Sequence, residues 1–391
     1  MAKRRADGLF REPRTVQQSA AGKIIVDGRE LLNFGSNDYL GLSADPAILG
    51  AARGAIADQG FLGSGRWGAG AAPLLTGRGE HHAKLEADLA AWKRADAALT
   101  FSSGYAAGVS IIAAVASSGD VIFSDALNHA SLIDGCRLSR ASVCIYPHCD
   151  IEALRSVLIA SAKNRQAGAG FWILTDSVFS MEGDAAPLAD IAALAEEFDA
   201  GVIVDEAHAS GVFGPEGVGL AEPNRFGGVP LIAVGTLSKA LGSVGGFVVS
   251  ESSIIDYLRN FARGYVYSTA MPAAAAAAGS AAVQICRTAE QQRVALRRRA
   301  TSLRNHLKDV GWLTAGEDSP IVPVYTSRAQ AALELSATLA ERGFWTPPIR
   351  PPTVPAGRSL IRISLTASHS DREVAAIGEE LARLRDSFAT S

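Results

Sequence analysis

Lys239 lies in the stretch Thr236-Leu237-Ser238-Lys239-Ala240-Leu241-Gly242, directly after the apolar run 231–234. A lysine just past a buried strand, among small residues, suits an amine that must lose its proton and act as a nucleophile. Asp205 and His208 follow a second apolar run, 201–204, which puts a carboxylate and an imidazole at another strand end. Each feature alone is weak, because a lysine there is usually solvated and an aspartate there usually caps a helix. Together they fit pyridoxal phosphate chemistry. That cofactor needs a lysine to hold it as a Schiff base and a carboxylate to keep its ring nitrogen protonated. The protonated ring is then an electron sink for a carbanion.

Such residues need a scaffold that gathers strand ends. Short β-rich runs recur at 97–101, 121–124, 143–146, 171–175, 201–204, 231–234 and 246–249, with helical stretches such as 188–198 between them. This alternation predicts an α/β fold with a mostly parallel central sheet covered on both faces. Ligands of such sheets bind outside the carboxyl ends of the strands. The residues to watch are therefore 102–105, 125–129, 176–180, 205–208 and 236–239. The run PAAAAAAGSAA from Pro272 reads as a helix packed closely on a neighbour. Beyond about residue 310 the pattern changes to strands at 321–325 and 360–365 and helices at 330–341 and 372–385, a smaller α+β C-terminal domain. A hairpin around Asp27-Gly28 is expected to complete it. The expected organisation is an N-terminal arm and hairpin over 1–45, a large cofactor-binding domain over 46–285 and a small domain over 286–391.

Composition narrows the rest. The 391 residues are 48% hydrophobic and 20% charged, enough for a sizeable core and against wholesale disorder. A net charge of −3 argues against a nucleic-acid-binding surface. Cys136, Cys144, Cys149 and Cys286 form no CxxC pair, so neither a zinc knuckle nor a redox pair is expected, and no metal. Few thiols in a long chain suggest a reducing compartment, the cytoplasm. The N-terminus MAKRRADGLFREPR lacks the apolar stretch of a secretory signal, and the apolar stretch 105–116 is too short to span a bilayer. Two motifs mislead. The GxGxxG match at 63–68 follows no strand, and Asp205-Glu206-Ala207-His208 spells the DEAH of certain ATPases in a chain without a GxxxxGK[ST] phosphate loop.

Long ungapped stretches carry a resemblance. They are NFGSNDYLGL at 33–42, TGRGEHHAKLE at 76–86, FSSGYAAG at 101–108, NHASLIDG at 128–135, DSVFSMEGDAAPL at 176–188, VDEAHASGVFG at 204–214, GTLSKALGSVGGFV at 235–248 and YSTAMP at 267–272. The chain resembles, over nearly its whole length, the α-oxoamine synthase family of pyridoxal phosphate enzymes, which have the fold type I, aspartate-aminotransferase-like architecture. The resemblance implies that Lys239 holds the cofactor and later shuttles the substrate α-proton. It implies that Asp205 pairs with the ring nitrogen, His208 bonds the phenolic oxygen, His129 stacks on the ring face, and Ser180 lies near the ring. Ser103, Gly104 and Tyr105 would hold the phosphate where a helix begins after a strand, with Thr236 adding a hydroxyl. Family sites form at a homodimer interface, so Ser268 and Thr269 would reach the neighbouring subunit's phosphate.

Within the family, Ile349-Arg350-Pro351-Pro352-Thr353-Val354-Pro355 and Leu365-Thr366-Ala367-Ser368-His369 resemble members that condense L-alanine with a pimeloyl thioester. The acyl carrier would be coenzyme A or acyl carrier protein. Arg350 would take the amino-acid carboxylate as a bidentate fork. Asn37 and Thr353 would also bind substrate, and Arg11, or nearby Arg14, would meet the acyl group. Members that use glycine, a pyridoxal phosphate aminotransferase and a binding protein without chemistry stay open as alternatives. Three features depart from the family: Asp176 stands where glutamate is frequent, Gly108 where asparagine is frequent, and the stretch 59–67 is longer than in some members.

Overall fold

The computed structural model describes residues 1–58, 67–326 and 328–388. Most of the 59–67 stretch, and with it the GxGxxG match, lies outside the described residues. The chain forms two compact units. The larger is Leu42–Phe179 with Ala185–Glu290, and the smaller is Met1–Gly41, Ser180–Asp184 and Gln291–Ser391.

The larger unit is built on a seven-stranded sheet. In chain order its strands are β1 (Ala97–Phe101), β2 (Val121–Asp125), β3 (Ser142–Tyr146), β4 (Phe171–Asp176), β5 (Ala200–Asp205), β6 (Leu231–Thr236) and β7 (Gly246–Ser250). The order across the sheet is β1-β7-β6-β5-β4-β2-β3. The five strands from β6 to β3 run parallel. Only β7 is antiparallel, to both β1 and β6. Every residue of β5, β6 and β7 is buried, which is why these strands read as continuous apolar runs and not as alternation. One topological consequence serves the site: β1, β2, β4, β5 and β6 all end on the same edge. The register places Asp176 level with Asp205 at the ends of β4 and β5.

Two helices follow directly from strand ends. Helix α1 (Gly104–Val115) is capped by the Ser103 hydroxyl, which accepts from Ala106 N at 3.1 Å. Helix α2 (Ala130–Ser139) packs closely on α1 because glycines face the contact. A Cβ on Gly108 would lie 2.9 Å from Ser131 Oγ, and one on Gly135 would lie 2.9 Å from Ile112 Cβ. An asparagine at 108 would push α1 and α2 apart, which gives the departure at Gly108 a physical reason. The alanine-rich stretch forms the helix Ala273–Thr288, with Ala273 to Ala278 all buried against Glu80–Lys93 and Pro46–Asp58.

The smaller unit holds two sheets. One contains Val16–Ala20, Lys23–Val26, Arg29–Asn33 and Phe344–Trp345; the other contains Ile321–Tyr325, Leu360–Ser364 and Pro348–Ile349. The hairpin turns at Asp27 (φ 51°) and Gly28 (φ 78°), the two positive angles that a tight two-residue turn requires. Ser180–Asp184, which the sequence reading leaves inside the large domain, belongs to this unit. Arg362 Nε donates to Ser180 O at 2.5 Å, a contact that no local pattern announces. The strand Val16–Ala20 was also not foreseen, because all five residues are exposed and none alternates with an apolar neighbour. Among the described residues no helix is long and apolar enough to cross a membrane.

Candidate active site

The strand ends of the larger unit border a cavity of about 140 Å3. β6 leads into a turn that brings Lys239 Nζ to 2.7 Å from His208 Nε2. β5 leads into the turn 205–208, where Asp205 Oδ1 accepts from Ala207 N at 2.8 Å, fixing the carboxylate. Glu206 does structural work instead. Its Oε2 accepts from Lys93 Nζ at 2.9 Å, its Oε1 accepts from Leu220 N and Ala221 N at 3.0 and 3.1 Å, and both charged side chains are buried. The DEAH spelling thus splits into two cavity-lining groups and one anchor behind them.

β2 delivers His129. Its Nδ1 accepts from Ser131 N at 3.2 Å and lies 2.8 Å from Ser131 Oγ, so this nitrogen serves as the cap of α2. Burial lowers the His129 pKa and Lys239 lowers it further, against the opposing pull of Asp205. The ring is neutral as a result, with its proton assigned to Nε2 by the Ser131 N–H. Asp176, at the end of β4, accepts from His129 N at 3.3 Å. Burial, and then the Asp205 carboxylate, push its pKa well above the usual carboxylate range. Asn128 ties these pieces together: its Oδ1 accepts from Asp176 N, and its Nδ2 donates to Ser124 Oγ and Leu174 O, all within 3.0 Å.

The opposite side of the cavity presents unpaired helix-start N–H groups, donors of the kind an anion accepts from. The Gly104 and Tyr105 N–H groups at the start of α1 have no acceptor inside their own helix, and both residues line the cavity. A Cβ on Gly104 would sit 3.1 Å from Thr236 Cβ, so only glycine lets the helix start this close to β6. Thr236 Oγ1 donates to Gly245 O at 2.9 Å and accepts from Ser238 N at 3.1 Å. The Tyr105 side chain points outward, donating its hydroxyl to Asp134 Oδ2 at 2.5 Å. An amine, a carboxylate, a flat neutral imidazole and a helix N-terminus around one cavity are the donor set that pyridoxal phosphate requires.

Gly104, Tyr105, His129, Asp205, His208, Thr236 and Lys239 share this cavity, and Ser103 caps the helix beside it. Ser268 and Thr269 do not border it; they line a separate, smaller cavity with Arg78 and Glu86. The other residues named from the sequence lie in the smaller unit. There Arg11 Nη2 donates to Thr353 Oγ1 at 3.0 Å and to Arg350 O at 3.2 Å. Arg350 is buried, and its Nη1 donates to Gly8 O and to Phe10 O. Burial and then Arg11 lower its pKa. Asn37 Oδ1 accepts from Arg362 Nη1 at 2.9 Å. The sequence reading gave no role to Asn128, Ser131 or Arg362. Arg362 had a usable signal, a charged residue inside the apolar strand Leu360–Ser364, where burial demands partners. Its others are Tyr39 Oη and Ser364 Oγ.

Fold and cavity define a pyridoxal-phosphate-dependent transferase of fold type I. Residues 29–381 match the family model for class I and II aminotransferases, and the chain belongs to that family. Within it the chain belongs to the α-oxoamine synthases and is an acyltransferase. It is 44% identical over 379 residues to the 8-amino-7-oxononanoate synthase of Geotalea daltonii, which covers 95% of this chain and 94% of that protein. Its fold is similar to that of the S. paucimobilis serine palmitoyltransferase solved with pyridoxal phosphate and myriocin bound (TM-score 0.90, 29% identity, 99% of this chain and 96% of that one). It is also similar to the 8-amino-7-oxononanoate synthase of Francisella tularensis (TM-score 0.75, 26% identity, 91% of this chain and 98% of that one).

Proposed function

We propose that this enzyme condenses L-alanine with a pimeloyl thioester to give 8-amino-7-oxononanoate, carbon dioxide and the free thiol carrier, a step of biotin biosynthesis. The thioester is carried by coenzyme A or acyl carrier protein. The observation that carries the reading is Lys239 Nζ set 2.7 Å from His208 in the cavity that Asp205 and His129 also line, in a chain 44% identical to a protein of that name. Bound pyridoxal phosphate supplies the sink for negative charge on the amino acid's α-carbon.

The chain's own groups do the rest. Lys239 holds the cofactor's aldehyde carbon at rest, and its amine afterwards accepts the α-proton. Asp205 holds a proton on the ring nitrogen, and His208 bonds the phenolic oxygen. His129, kept neutral by burial, lies flat against the ring without adding a charge there. Gly104 and Tyr105 N–H groups with Ser103 and Thr236 hold the phosphate. Ser180 lies near the ring. Arg350, with Asn37 and Thr353, takes the alanine carboxylate, and Arg11 meets the acyl substrate. The enzyme works as a cytoplasmic homodimer in which Ser268 and Thr269 serve the partner's phosphate.

A second reading assigns the carboxylate to Arg362. It is favoured by one observation: Arg350 already donates to the carbonyls of Gly8 and Phe10, whereas Arg362 is held on the side chain of Asn37. The deciding experiment for the reaction itself is purified holoenzyme with alanine or glycine and a panel of acyl thioesters, with product mass as readout. A C9 amino ketone from alanine and the pimeloyl donor is expected. Product only from glycine, or amino-group transfer to the cofactor without carbon dioxide, would overturn the assignment.

A further inference from the structure

Cys149 follows His148 in the turn between β3 and helix α3 (Ile151–Ala162). His148 Nδ1 lies 3.0 Å from Asp125 Oδ1, and its Nε2 faces Cys149 Sγ at 3.8 Å, within hydrogen-bond range for sulfur. Asp125 is buried and held by two backbone donors: Leu127 N to Oδ1 and Cys149 N to Oδ2, both at 2.8 Å. The His148 ring is held edge-on to Phe179, centroids 4.3 Å apart. Thiol, imidazole and carboxylate therefore stand in series: a nucleophile, a base and a group that orients the base. The Tyr146 side chain, at the end of β3 level with Asp125, is buried beside Thr175. Burial, then Asp125 and Cys149, push its pKa up, so it stays a neutral donor. None of these groups has a part in the reaction above.

We propose that Cys149 is a covalent modification site, a thiol whose proton the neighbouring His148 imidazole is placed to take, poised for exchange with a small disulfide. The thiolate attacks one sulfur of the disulfide. A new S–S bond to Cys149 forms as the old one breaks, and the departing thiolate takes the proton from His148. No net oxidation is needed beyond the disulfide itself. Metal binding is the obvious rival, since the three residues offer ligand atoms within 4.8 Å of one another. The geometry disfavours it. Each imidazole nitrogen already faces a partner, Asp125 or Cys149, so an ion would have to displace the contact of whichever nitrogen it used. Asp125 also has both oxygens engaged by backbone donors. The remaining thiols are internal references: Cys136 and Cys286 are buried, with Cys136 pushed up to about 11, and Cys144 on β3 is half-buried like Cys149.

The test treats reduced holoenzyme with oxidised glutathione at pH 7 and follows each cysteine by peptide mass mapping. Cys149 is expected to form the mixed disulfide at least about tenfold faster than Cys144, because the thiolate and not the thiol reacts. His148→Gln should remove that advantage, and Cys149→Ser should abolish the fast adduct. The wild-type comparison needs no variant, so a His148→Gln that folds poorly leaves the test intact. Equal rates at Cys149 and Cys144 would overturn the proposal, as would a folded His148→Gln with unchanged rate. One equivalent of zinc retained through dialysis and blocking the exchange would overturn it in favour of a metal site.

Discussion

The two units hold their polar groups in different ways. In the larger unit, Lys239, His208, Asp205, Asp176 and His129 stand at the ends of parallel strands, and each is fixed by a neighbour a few residues away or one strand across. In the smaller unit, two buried arginines are fixed by groups distant in sequence: Arg350 by Gly8 O, Arg362 by Ser180 O and Asn37 Oδ1. Sheet topology alone positions the first set. The second exists only once distant segments have met, so its geometry is sensitive to how each arginine is held.

The sharpest way to break this comparison is Lys239→Ala. A group supplied by one turn should be removable without unfolding the sheet. Turnover should fall by about 10^4-fold or more, with the visible cofactor band lost and the melting temperature little changed. Residual turnover near wild type would move the amine elsewhere. Next in size is the anchor behind the cavity. Lys93→Met leaves Glu206 buried without its cation and should cost about 3–5 kcal/mol in a urea melt. A cost below about 1 kcal/mol would mean that water reaches Glu206, whose carboxylate would then be held by the Leu220 and Ala221 N–H groups.

The same contrast explains what the sequence made legible. The seven central strands and the residues after them were readable because continuous apolar runs ending in a polar residue have one meaning in a parallel sheet. Asn128 escaped because it holds Asp176 across the β2–β4 pairing, a relation that appears only when those strands lie side by side, and Ser131 because it meets His129 only through the local turn that caps α2. The segment Ser180–Asp184 escaped for the opposite reason. It continues smoothly from β4 in sequence, and only distant partners such as Arg362, Arg358 and Tyr325 assign it to the smaller unit.

Acid and base sharpen the comparison further. In the smaller unit burial lowers His369 from 6.5 to about 4, with its Nδ1 accepting from Thr366 N and its ring stacked on Phe34 at 4.2 Å. Between those values the unfolded chain binds a proton that the folded chain refuses. Stability should therefore fall as pH drops from about 6.5 towards 4, by about 3 kcal/mol in all. Asp176 in the larger unit has the opposite sign. Its raised folded-state pKa means that its contribution is present at low pH and is lost as pH rises through that value. Urea melts across pH 4 to 7 should show the acid-side slope flattened in His369→Gln and the loss on the alkaline side reduced in Asp176→Asn. Identical slopes in His369→Gln and wild type would mean that the imidazole is hydrated.

The smallest effect tests the smaller unit most directly. Losing a charge-assisted hydrogen bond to a carboxylate costs about 1.5–3 kcal/mol, or roughly 10- to 100-fold in affinity. If Arg350 binds alanine, Arg350→Ala should raise the KM for alanine by about that factor and leave the KM for the thioester nearly unchanged. Arg362→Ala would then act indirectly, by freeing Asn37, Tyr39 and the Ser180 carbonyl, and should lower stability and kcat more than it raises the alanine KM. The reverse pattern, with the alanine KM moved by Arg362→Ala and only stability moved by Arg350→Ala, would assign the carboxylate to Arg362. Arg350 would then be a clamp on the N-terminal segment through Gly8 and Phe10, and Arg350→Lys, which keeps a charge but not the two-pronged contact, should be destabilising without changing affinity for alanine.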